Sequence, residues 1–127
     1  MDFNLIITGT KKFTDYDLLV EKCDQYISLI TDVDIHILTG DDGDCEAMVQ
    51  RYAEEKGYPV TIFELNKDKY GTRAASIRNN SMVSNAHSAI CFWDGKSAGA
   101  RITITACKSK GIPCKIVRFD KIKKEEE

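Results

Sequence analysis

Residues 3–9 are Phe-Asn-Leu-Ile-Ile-Thr-Gly, an apolar and β-branched run that ends at a glycine. Such a run predicts a buried strand over residues 3–8. A helical pattern follows, with Thr14 as the expected N-cap and with apolar residues at helical spacing, namely Leu19, Cys23, Tyr26, Ile27 and Ile30. A buried strand followed by an amphipathic helix is typical of a β-α-β unit.

The same alternation continues along the chain. Further strands are predicted at residues 35–39, 59–63, 88–93 and 113–117. Further helices are predicted at residues 45–56 and 98–110, and another follows the polar stretch 66–73 and continues through Met82. Five strands that alternate with helices favour right-handed crossovers between parallel strands. The sequence therefore predicts an α/β fold, a three-layer Rossmann-like sandwich around a five-stranded, mainly parallel sheet. We expect one domain over residues 1–120 and a charged, flexible tail over residues 121–127.

The composition fits one soluble domain. The 127 residues are 43% hydrophobic and 30% charged, with a formal net charge of −2. No apolar run approaches the roughly 20 residues that span a bilayer, and the N-terminus lacks the features of a signal peptide. The small negative charge argues against a protein that wraps duplex nucleic acid. We therefore expect a cytoplasmic protein with no membrane partner.

The five cysteines have no C-x-x-C spacing, and the two histidines, His36 and His87, stand far apart in the sequence. A structural zinc site normally needs paired cysteines or clustered histidines, so no metal site is expected. Several of the cysteines lie within apolar patterns, where a thiol behaves as a small hydrophobic group. Reduced thiols in the core of a cytoplasmic protein are the expectation.

In a parallel sheet, ligands bind beyond the carboxyl ends of the strands, where the strand order reverses. The loops expected there are Gly9–Lys12, Gly40–Asp44 and Asp94–Gly99, and two of them contain lysine. Glycine allows backbone N–H groups to approach a ligand, and a helix N-terminus favours phosphate. These loops favour phosphate or nucleotide binding, although glycine and polar residues are common in the loops of any α/β protein.

The standard nucleotide and hydrolase motifs are absent. Gly95-Lys96-Ser97 is similar to the end of a Walker A loop, but Ile90 stands where that loop needs a glycine. No G-x-G-x-x-G follows the first strand, and neither a G-x-S-x-G elbow nor an H-E-x-x-H helix occurs. An ordinary NAD-dehydrogenase site is therefore not expected.

Three blocks nevertheless resemble one family. They are Gly-Thr-Lys-Lys-Phe-Thr-Asp-Tyr at residues 9–16, Tyr-Gly-Thr-Arg-Ala-Ala-Ser-Ile-Arg-Asn-Asn-Ser-Met at residues 70–82, and Phe-Trp-Asp-Gly-Lys-Ser-Ala-Gly at residues 92–99. In this order they are similar to the YspA/YpsA-related branch of the SLOG (SMF/DprA–LOG) superfamily, over about residues 4 to 118. The resemblance implies a Rossmann-like, nucleotide-binding fold whose members bind, and in some branches process, nucleotides or nucleotide-derived small molecules.

The resemblance also implies a ligand site. Its residues, carried over position by position, are Gly9, Thr10, Lys11, Gly40, Glu46, Arg78, Asn79, Asp94, Gly95, Lys96, Ser97 and Gly99. Arg78 would hold a phosphate or carboxylate, unless it forms a salt bridge on the helix surface, and Asn79 would contact a sugar or base. Ser97 would cap the next helix, bond a phosphate, or do both. The family more often has arginine at Lys11, and lysine keeps the charge but lacks the planar fork.

The second loop departs from the family pattern. Relatives typically have a glycine-alanine-basic-glycine segment followed by an aspartate, whereas residues 40–46 are Gly-Asp-Asp-Gly-Asp-Cys-Glu, with Glu46 nearest the acidic position. The extra aspartates would repel phosphate, which leaves three explanations open. The ligand presents a sugar or an amine here, Mg²⁺ accompanies its phosphate, or the carboxylates only cap the second helix.

Another departure concerns catalysis. LOG-type enzymes carry a glutamate at the end of P-G-G-x-G-T-x-x-E, and Thr103 stands at the equivalent position. Threonine cannot transfer a proton at ordinary pH, so LOG-like hydrolysis is disfavoured and no catalytic residue is assigned. The leading hypothesis is a sensor or binding module for a nucleotide or nucleotide-derived small molecule.

Two other functions stay open. One is a nucleoside or N-glycosyl hydrolase that uses Glu46 or Asp94 as its carboxylate. The other is DprA-like binding of single-stranded DNA in a basic groove with aromatic side chains, for which the candidates are Lys11, Lys12, Lys67, Lys69 and Tyr70. The acidic balance of charge weighs against nucleic acid as a partner. Because relatives often dimerise, a homodimer is a further expectation.

Overall fold

A computed structural model describes the backbone of residues 1–126 and the side chains of residues 1–122. Its strands are β1 (Asp2–Gly9), β2 (Asp34–Gly40), β3 (Val60–Phe63), β4 (Ser88–Trp93) and β5 (Cys114–Arg118). They form one sheet in the order β3-β2-β1-β4-β5, and every pairing in it is parallel. The predicted α/β class and five-stranded sheet are therefore confirmed, and the sheet is parallel throughout.

The helices connect successive strands and follow the last one. They are α1 (Tyr16–Ile27), α2 (Asp44–Lys56), the short α3 (Lys67–Tyr70), α4 (Ala74–Ser84), α5 (Ala98–Lys110) and α6 (Phe119–Glu126), with a 3₁₀ turn at Gly71–Arg73. Gly57 and Gly111 follow α2 and α5 in the left-handed conformation, at φ values of 75° and 70°, which glycine adopts without steric cost. None of the helices in the described residues is long and apolar enough to cross a membrane.

The side chains of β1 alternate between the two faces of the sheet. Leu5 and Ile7 pack with α1 and α2, whereas Ile6 packs with α4 and α5, and all three are fully buried. The first core also contains Leu19, Cys23, Val49 and Tyr52, and the second contains Met82, Val83, Ala106 and Cys107. The two cores produce the three layers that the sequence predicts.

The strand order reverses between β1 and β4. The chain passes from β1 to β2 on one side, and later returns to place β4 on the other side of β1. At such a switch point the connections diverge and leave a crevice at the carboxyl ends of the strands. The loops after β1 and β4 therefore flank the position where ligands bind in this class of fold.

One predicted helix cap is wrong. Thr14 does not cap α1, because the N-cap residue is Asp15, whose carboxylate accepts a hydrogen bond from Leu18 N at 3.1 Å. Both side chains can accept such a bond, but an aspartate adds a negative charge beside the positive end of the helix dipole. The helix therefore begins at Tyr16, one residue later than a cap at Thr14 predicts.

The end of the chain forms a helix where the sequence predicts a charged tail. Phe119, the first residue of α6, packs against the core on the α1 side. The helix continues through the charged residues to Glu126, and Glu127 lies outside the described residues. The division of the chain at residue 120 stays a prediction.

Ile37→Ala should destabilise the fold strongly, because Ile37 is fully buried on β2 within the first core. We expect the free energy of unfolding in urea to fall by about 2–5 kcal/mol, the usual range for such a truncation. Ile62→Ala is the matched control, since Ile62 lies on the edge strand β3 with 40% of its surface exposed. Equal losses for the two variants would contradict the assignment of the core.

Candidate functional site

The loops after β1 and β4 meet at the switch point through two hydroxyl groups. Thr10 Oγ1 and Ser97 Oγ lie 2.9 Å apart, within hydrogen-bond distance. Thr10 N donates to Phe92 O at 2.8 Å, and Asp94 N donates to Thr10 Oγ1 at 3.2 Å. Gly9 permits this approach, because a Cβ there would collide with the Phe92 carbonyl. We call the space bordered by Thr10, Asp94 and Ser97 the crevice.

Asp94 shapes the loop after β4. Its Oδ1 accepts hydrogen bonds from the backbone N–H groups of Ser97 at 2.7 Å and Lys96 at 2.8 Å. These bonds, with that from Ser97 the strongest cause, lower the pKa of Asp94 because they stabilise the ionised carboxylate. Gly95 closes the turn at a φ of 83°. Asp94 is thus an ionised group that organises the loop.

The first turn of α5 has no cap from a side chain. Ser97 is the N-cap residue, but its hydroxyl contacts Thr10 and makes no capping hydrogen bond. No acidic residue lies in this turn, and a Cβ at Gly99 would meet only open space. Lys96 and Arg101 lie beside the turn, and neither forms an ion pair with any side chain that the structure describes. The turn therefore combines backbone N–H groups with two uncompensated cations.

A second polar network joins the loop after β2 to α4. Arg78 Nη1 donates to Asp42 Oδ1 at 2.9 Å, and Lys11 Nζ lies 3.4 Å from Asp42 Oδ2. Arg78 Nε donates to Asn79 Oδ1 at 2.7 Å. Only 9% of the Arg78 side chain and 15% of the Asp42 side chain are exposed. Gly40 makes room for the pair, since a Cβ there would lie 2.5 Å from Arg78 Nη1.

The negative charge of Asp42 is compensated within this network. Burial raises the pKa of Asp42, but the hydrogen bond and charge of Arg78, together with Lys11, outweigh burial and hold it below its usual value. Each carboxylate oxygen faces one of the two cations, so neither offers an unshared charge to Mg²⁺. Over the part of the chain that the structure describes, no group of three or more potential metal ligands occurs.

The aspartates of residues 41–44 do not cap α2 with their side chains. The N-cap residue is Gly43, and no side chain forms a capping hydrogen bond there. The backbone carbonyl of Lys11 instead accepts a hydrogen bond from Asp44 N at 2.7 Å. The main chain of the loop after β1 therefore occupies the N-terminus of α2, and an anion has no access to it.

Glu46 lies beneath these loops. It is 3% exposed, and its Oε1 accepts a hydrogen bond from Thr8 Oγ1 at 3.0 Å. Its Oε2 is buried with no hydrogen-bond partner in the described residues, and it lies 3.0 Å from the position of a Cβ at Gly43. Burial is the main cause that raises the pKa of Glu46, and the hydrogen bonds to its own backbone and to Thr8 only partly oppose it.

The structure thus places the predicted site residues in two groups with one residue beneath them. The crevice and its borders contain Gly9, Thr10, Asp94, Gly95, Lys96, Ser97 and Gly99, whereas Lys11, Gly40, Arg78 and Asn79 belong to the network around Asp42. Glu46 is enclosed below. Asn79 is only 2% exposed, so its amide does not reach the surface; its Oδ1 accepts the hydrogen bond from Arg78 Nε.

Three residues beside the crevice, Trp93, Arg101 and Arg118, are not among the site residues that the sequence predicts. Trp93 ends β4, and the guanidinium carbons of Arg101 and Arg118 lie over its ring, 5.8 Å and 5.5 Å from the ring centre. Trp93 lies in the block at residues 92–99, directly before the loop after β4, so the sequence already indicates that it stands next to this loop. Arg118 joins it only through the register of β4 and β5, which the sequence does not reveal.

A separate depression lies on the other side of the loop after β1. It encloses about 510 Å³ between α1 and α6. Its floor includes Phe13 and Phe119, and the carboxylates of Asp15, Asp17 and Glu21 lie around it. These three carboxylates outweigh the single cation of Lys12 and repel a phosphate, so the crevice is the better candidate for an anion.

The loops after β1, β2 and β4 lie at the carboxyl ends of the strands, and we call this edge of the sheet the rim. The fold and the rim define a class of protein: a Rossmann-like α/β domain whose polar loops meet at the switch point of a parallel sheet. Within that class, residues 3–70 match the model of the family described as YAcAr, the YspA, cpYpsA-related SLOG family. The match covers more than half of the chain, and the chain belongs to this family. The predicted resemblance is confirmed, while the matched range ends before Arg78 and before the loop after β4.

A solved structure supports the fold. The crystal structure of translation initiation factor eIF-2B from Pyrococcus horikoshii OT3 is similar, with a TM-score of 0.54 and 14% sequence identity. The similarity covers 93% of this chain and 43% of that chain, so the present chain spans less than half of that protein's length. At this identity the likeness shows the fold alone. A search of curated proteins gives no match.

Glu46→Gln should remove a pH dependence of stability. A carboxyl group whose pKa is raised by folding binds its proton more tightly in the folded state, so the free energy of unfolding falls as the pH rises from about 4.5 through the raised value. The amide does not titrate, so urea unfolding between pH 4 and pH 8 should show a smaller fall for this variant. Asp44→Asn, at an exposed position in the same turn, is the control and should keep the slope. Parallel profiles of the wild type and Glu46→Gln would contradict the prediction.

Arg78→Ala should destabilise the protein by about 3–5 kcal/mol, because it leaves Asp42 largely buried without its hydrogen-bonded cation. The double variant Arg78→Ala/Asp42→Ala should lose less than the sum of the single losses, with a coupling of about 0.5–3 kcal/mol in urea unfolding. Arg51→Ala is the comparison, since its pair with Glu55 is exposed, and it should cost far less. Additive losses would mean that the pair does not interact as described.

Proposed function

We propose that this protein binds a nucleotide or a nucleotide-derived small molecule, with the phosphate in the crevice against the first turn of α5. Membership of the SLOG family indicates nucleotide-related binding or processing and leaves the specificity open. The observation that carries the proposal is the first turn of α5. This turn has no side-chain cap and no acidic residue, and the two cations beside it form no ion pair with the side chains of residues 1–122.

The hydroxyl groups of the crevice support an anion at the same place. Thr10 and Ser97 now contact each other, and each hydroxyl has a proton to donate to a phosphate oxygen. Asp94 borders the crevice as an ionised carboxylate that accepts hydrogen bonds from the backbone N–H groups of its own loop, and the cations of Lys96 and Arg101 would offset its repulsion of a phosphate. The phosphate would therefore replace a weak contact between two neutral groups with charge-assisted hydrogen bonds.

Arg78 supports the proposal through Asp42 rather than through the ligand. Its guanidinium is largely buried and already bonded to Asp42 and Asn79. By compensating Asp42, it removes a negative charge from the rim that would repel phosphate. This role makes Mg²⁺ unnecessary for neutralising Asp42. Asp41 Oδ1 accepts a hydrogen bond from Leu65 N at 3.1 Å, so the exposed Asp44 is the acidic residue of the loop that would face the sugar or an amine.

The two alternative functions receive less support. Thr103, at the place of the LOG-type glutamate, is 2% exposed. A basic groove for single-stranded DNA would need Lys11 to be available, and Lys11 is paired with Asp42. A cytoplasmic location and a homodimer stay predictions.

Gly99→Asp is the sharpest test of the proposed phosphate position. A carboxylate in the first turn of α5 favours the helix, and open space receives it, so the fold should persist. The wild type should gain thermal stability from at least one compound in a panel of nucleoside mono- and diphosphates, cyclic nucleotides and NAD derivatives, by about 2.7 kcal/mol at one hundred times Kd.

Gly99→Asp should lose this stabilisation through charge repulsion, and Gly99→Ala, the matched control without a charge, should keep it. Two results would refute the proposal. One is a wild type that no compound in the panel stabilises. The other is a Gly99→Asp variant that binds as tightly as Gly99→Ala.

A further inference from the structure

We infer that Trp93 forms a stacking platform for an aromatic nucleobase, which makes nucleoside phosphates, rather than simple sugar phosphates, the ligand class of this site. The inference rests on the proposed function, because it assumes a phosphate in the crevice. The inference adds a contact for the base to the proposed contact for the phosphate, and the residues involved are Trp93, Arg101 and Arg118.

The Trp93 ring is fixed to the loop that carries the proposed phosphate position. Trp93 is the last residue of β4, and its Nε1 donates to Ser97 O at 3.1 Å. The hydroxyl of the same Ser97 lies in the crevice. The ring is partly exposed. A ligand whose phosphate contacts Ser97 therefore has a partly exposed aromatic ring directly beside it.

Two guanidinium groups lie over this ring. The guanidinium carbons of Arg101 and Arg118 lie 5.8 Å and 5.5 Å from the ring centre, within the range at which cations and planar rings contact tryptophan. A nucleobase is a planar group of the same kind, and its π-face stacks on an aromatic ring whatever the base.

The two arginines differ in how firmly they are held. Arg118 is bonded to Asp120 through both Nε, at 3.0 Å, and Nη2, at 2.8 Å, and it packs across Gly95. Arg101 is exposed, and it forms no ion pair with the side chains of residues 1–122. Arg118 therefore stays as one side of the platform, and Arg101 is free to move from the ring to the phosphate as the base takes its place.

The glycine at position 95 is part of this arrangement. A Cβ there would collide with the Arg118 guanidinium, so only a glycine allows Arg118 to lie against the loop and the Trp93 ring together. The platform thus depends on the same turn that Asp94 organises for the crevice.

The test compares adenosine monophosphate with ribose 5-phosphate, which has the same phosphate and sugar but no base. Trp93 is the only tryptophan of the chain, so its fluorescence reports on the platform alone. Adenosine monophosphate should quench the fluorescence and bind about tenfold more tightly than ribose 5-phosphate, which is within the usual contribution of one stacked base.

Variants of Trp93 test whether its ring causes the preference for adenosine monophosphate over ribose 5-phosphate. In thermal-shift titrations, Trp93→Ala should lose the tenfold preference, measured as the ratio of the affinities for the two compounds, because this ratio cancels any change at the phosphate position that follows from losing the bond to Ser97 O. Trp93→Phe also loses that bond but retains a ring, so it should keep part of the preference. Leu29→Ala truncates an exposed apolar side chain after α1 and should keep the full preference. If Trp93→Ala does not fold, Trp93→Phe and the wild-type comparison still decide the question.

The outcomes separate the two proposals. Equal binding of both compounds by the wild type, or an unchanged preference in the tryptophan variants, would overturn the platform and leave the proposed phosphate site standing. No binding of either compound by the wild type would overturn both. A preference for the base that disappears only when the ring is removed would support the platform.

Discussion

The carboxyl ends of β1 and β4 approach each other so closely at Gly9 that no side chain fits between the glycine and the Phe92 carbonyl. The next residue, Thr10, bonds this carbonyl through its backbone N–H, and the bond directs its hydroxyl toward Asp94 and Ser97. The position of the loop after β1 thus depends on the pairing of two strands that are not consecutive in the chain. A side chain at Gly9 would separate the strands and the two halves of the crevice together.

The same loop also fixes the charge of the rim. The Lys11 carbonyl occupies the N-terminus of α2, and the Lys11 ammonium shares Asp42 with Arg78. Consequently Asp42 in the loop after β2 is compensated, while the cations beside α5 form no ion pair with the side chains of residues 1–122. The formal net charge of −2 conceals this separation, because it sums groups that are already paired with groups that are free to attract an anion. Local pairing, rather than total charge, decides where a phosphate could lie.

The sequence predicts the repeating elements of this fold well, because strand and helix periodicity record burial directly. The sequence also predicts that the three loops lie at one edge of the sheet, because the strands that precede them are predicted to be parallel. It does not reveal partners that are distant in the chain: Thr14 and Asp15 are both plausible caps, and the choice depends on local geometry. Arg78 contacts Asp42 because of how α4 packs, and Trp93 contacts Arg118 because of the register of β4 with β5. Asn79 stands beside Arg78 in the expected motif, yet its amide faces inward.

The buried carboxyl of Glu46 bears on whether binding or hydrolysis is the better hypothesis. To protonate a leaving group, a general acid must come within hydrogen-bond distance of it. Glu46 Oε2 has no such access, because Lys11 and Gly43 cover it so closely that a Cβ at Gly43 would lie 2.9 Å from Lys11 Cα. Reaching it would require the loops after β1 and β2 to separate, which breaks the bond from Asp44 N to the Lys11 carbonyl. Binding at the first turn of α5 needs no such movement, since that turn is already exposed at Ala98 and Gly99.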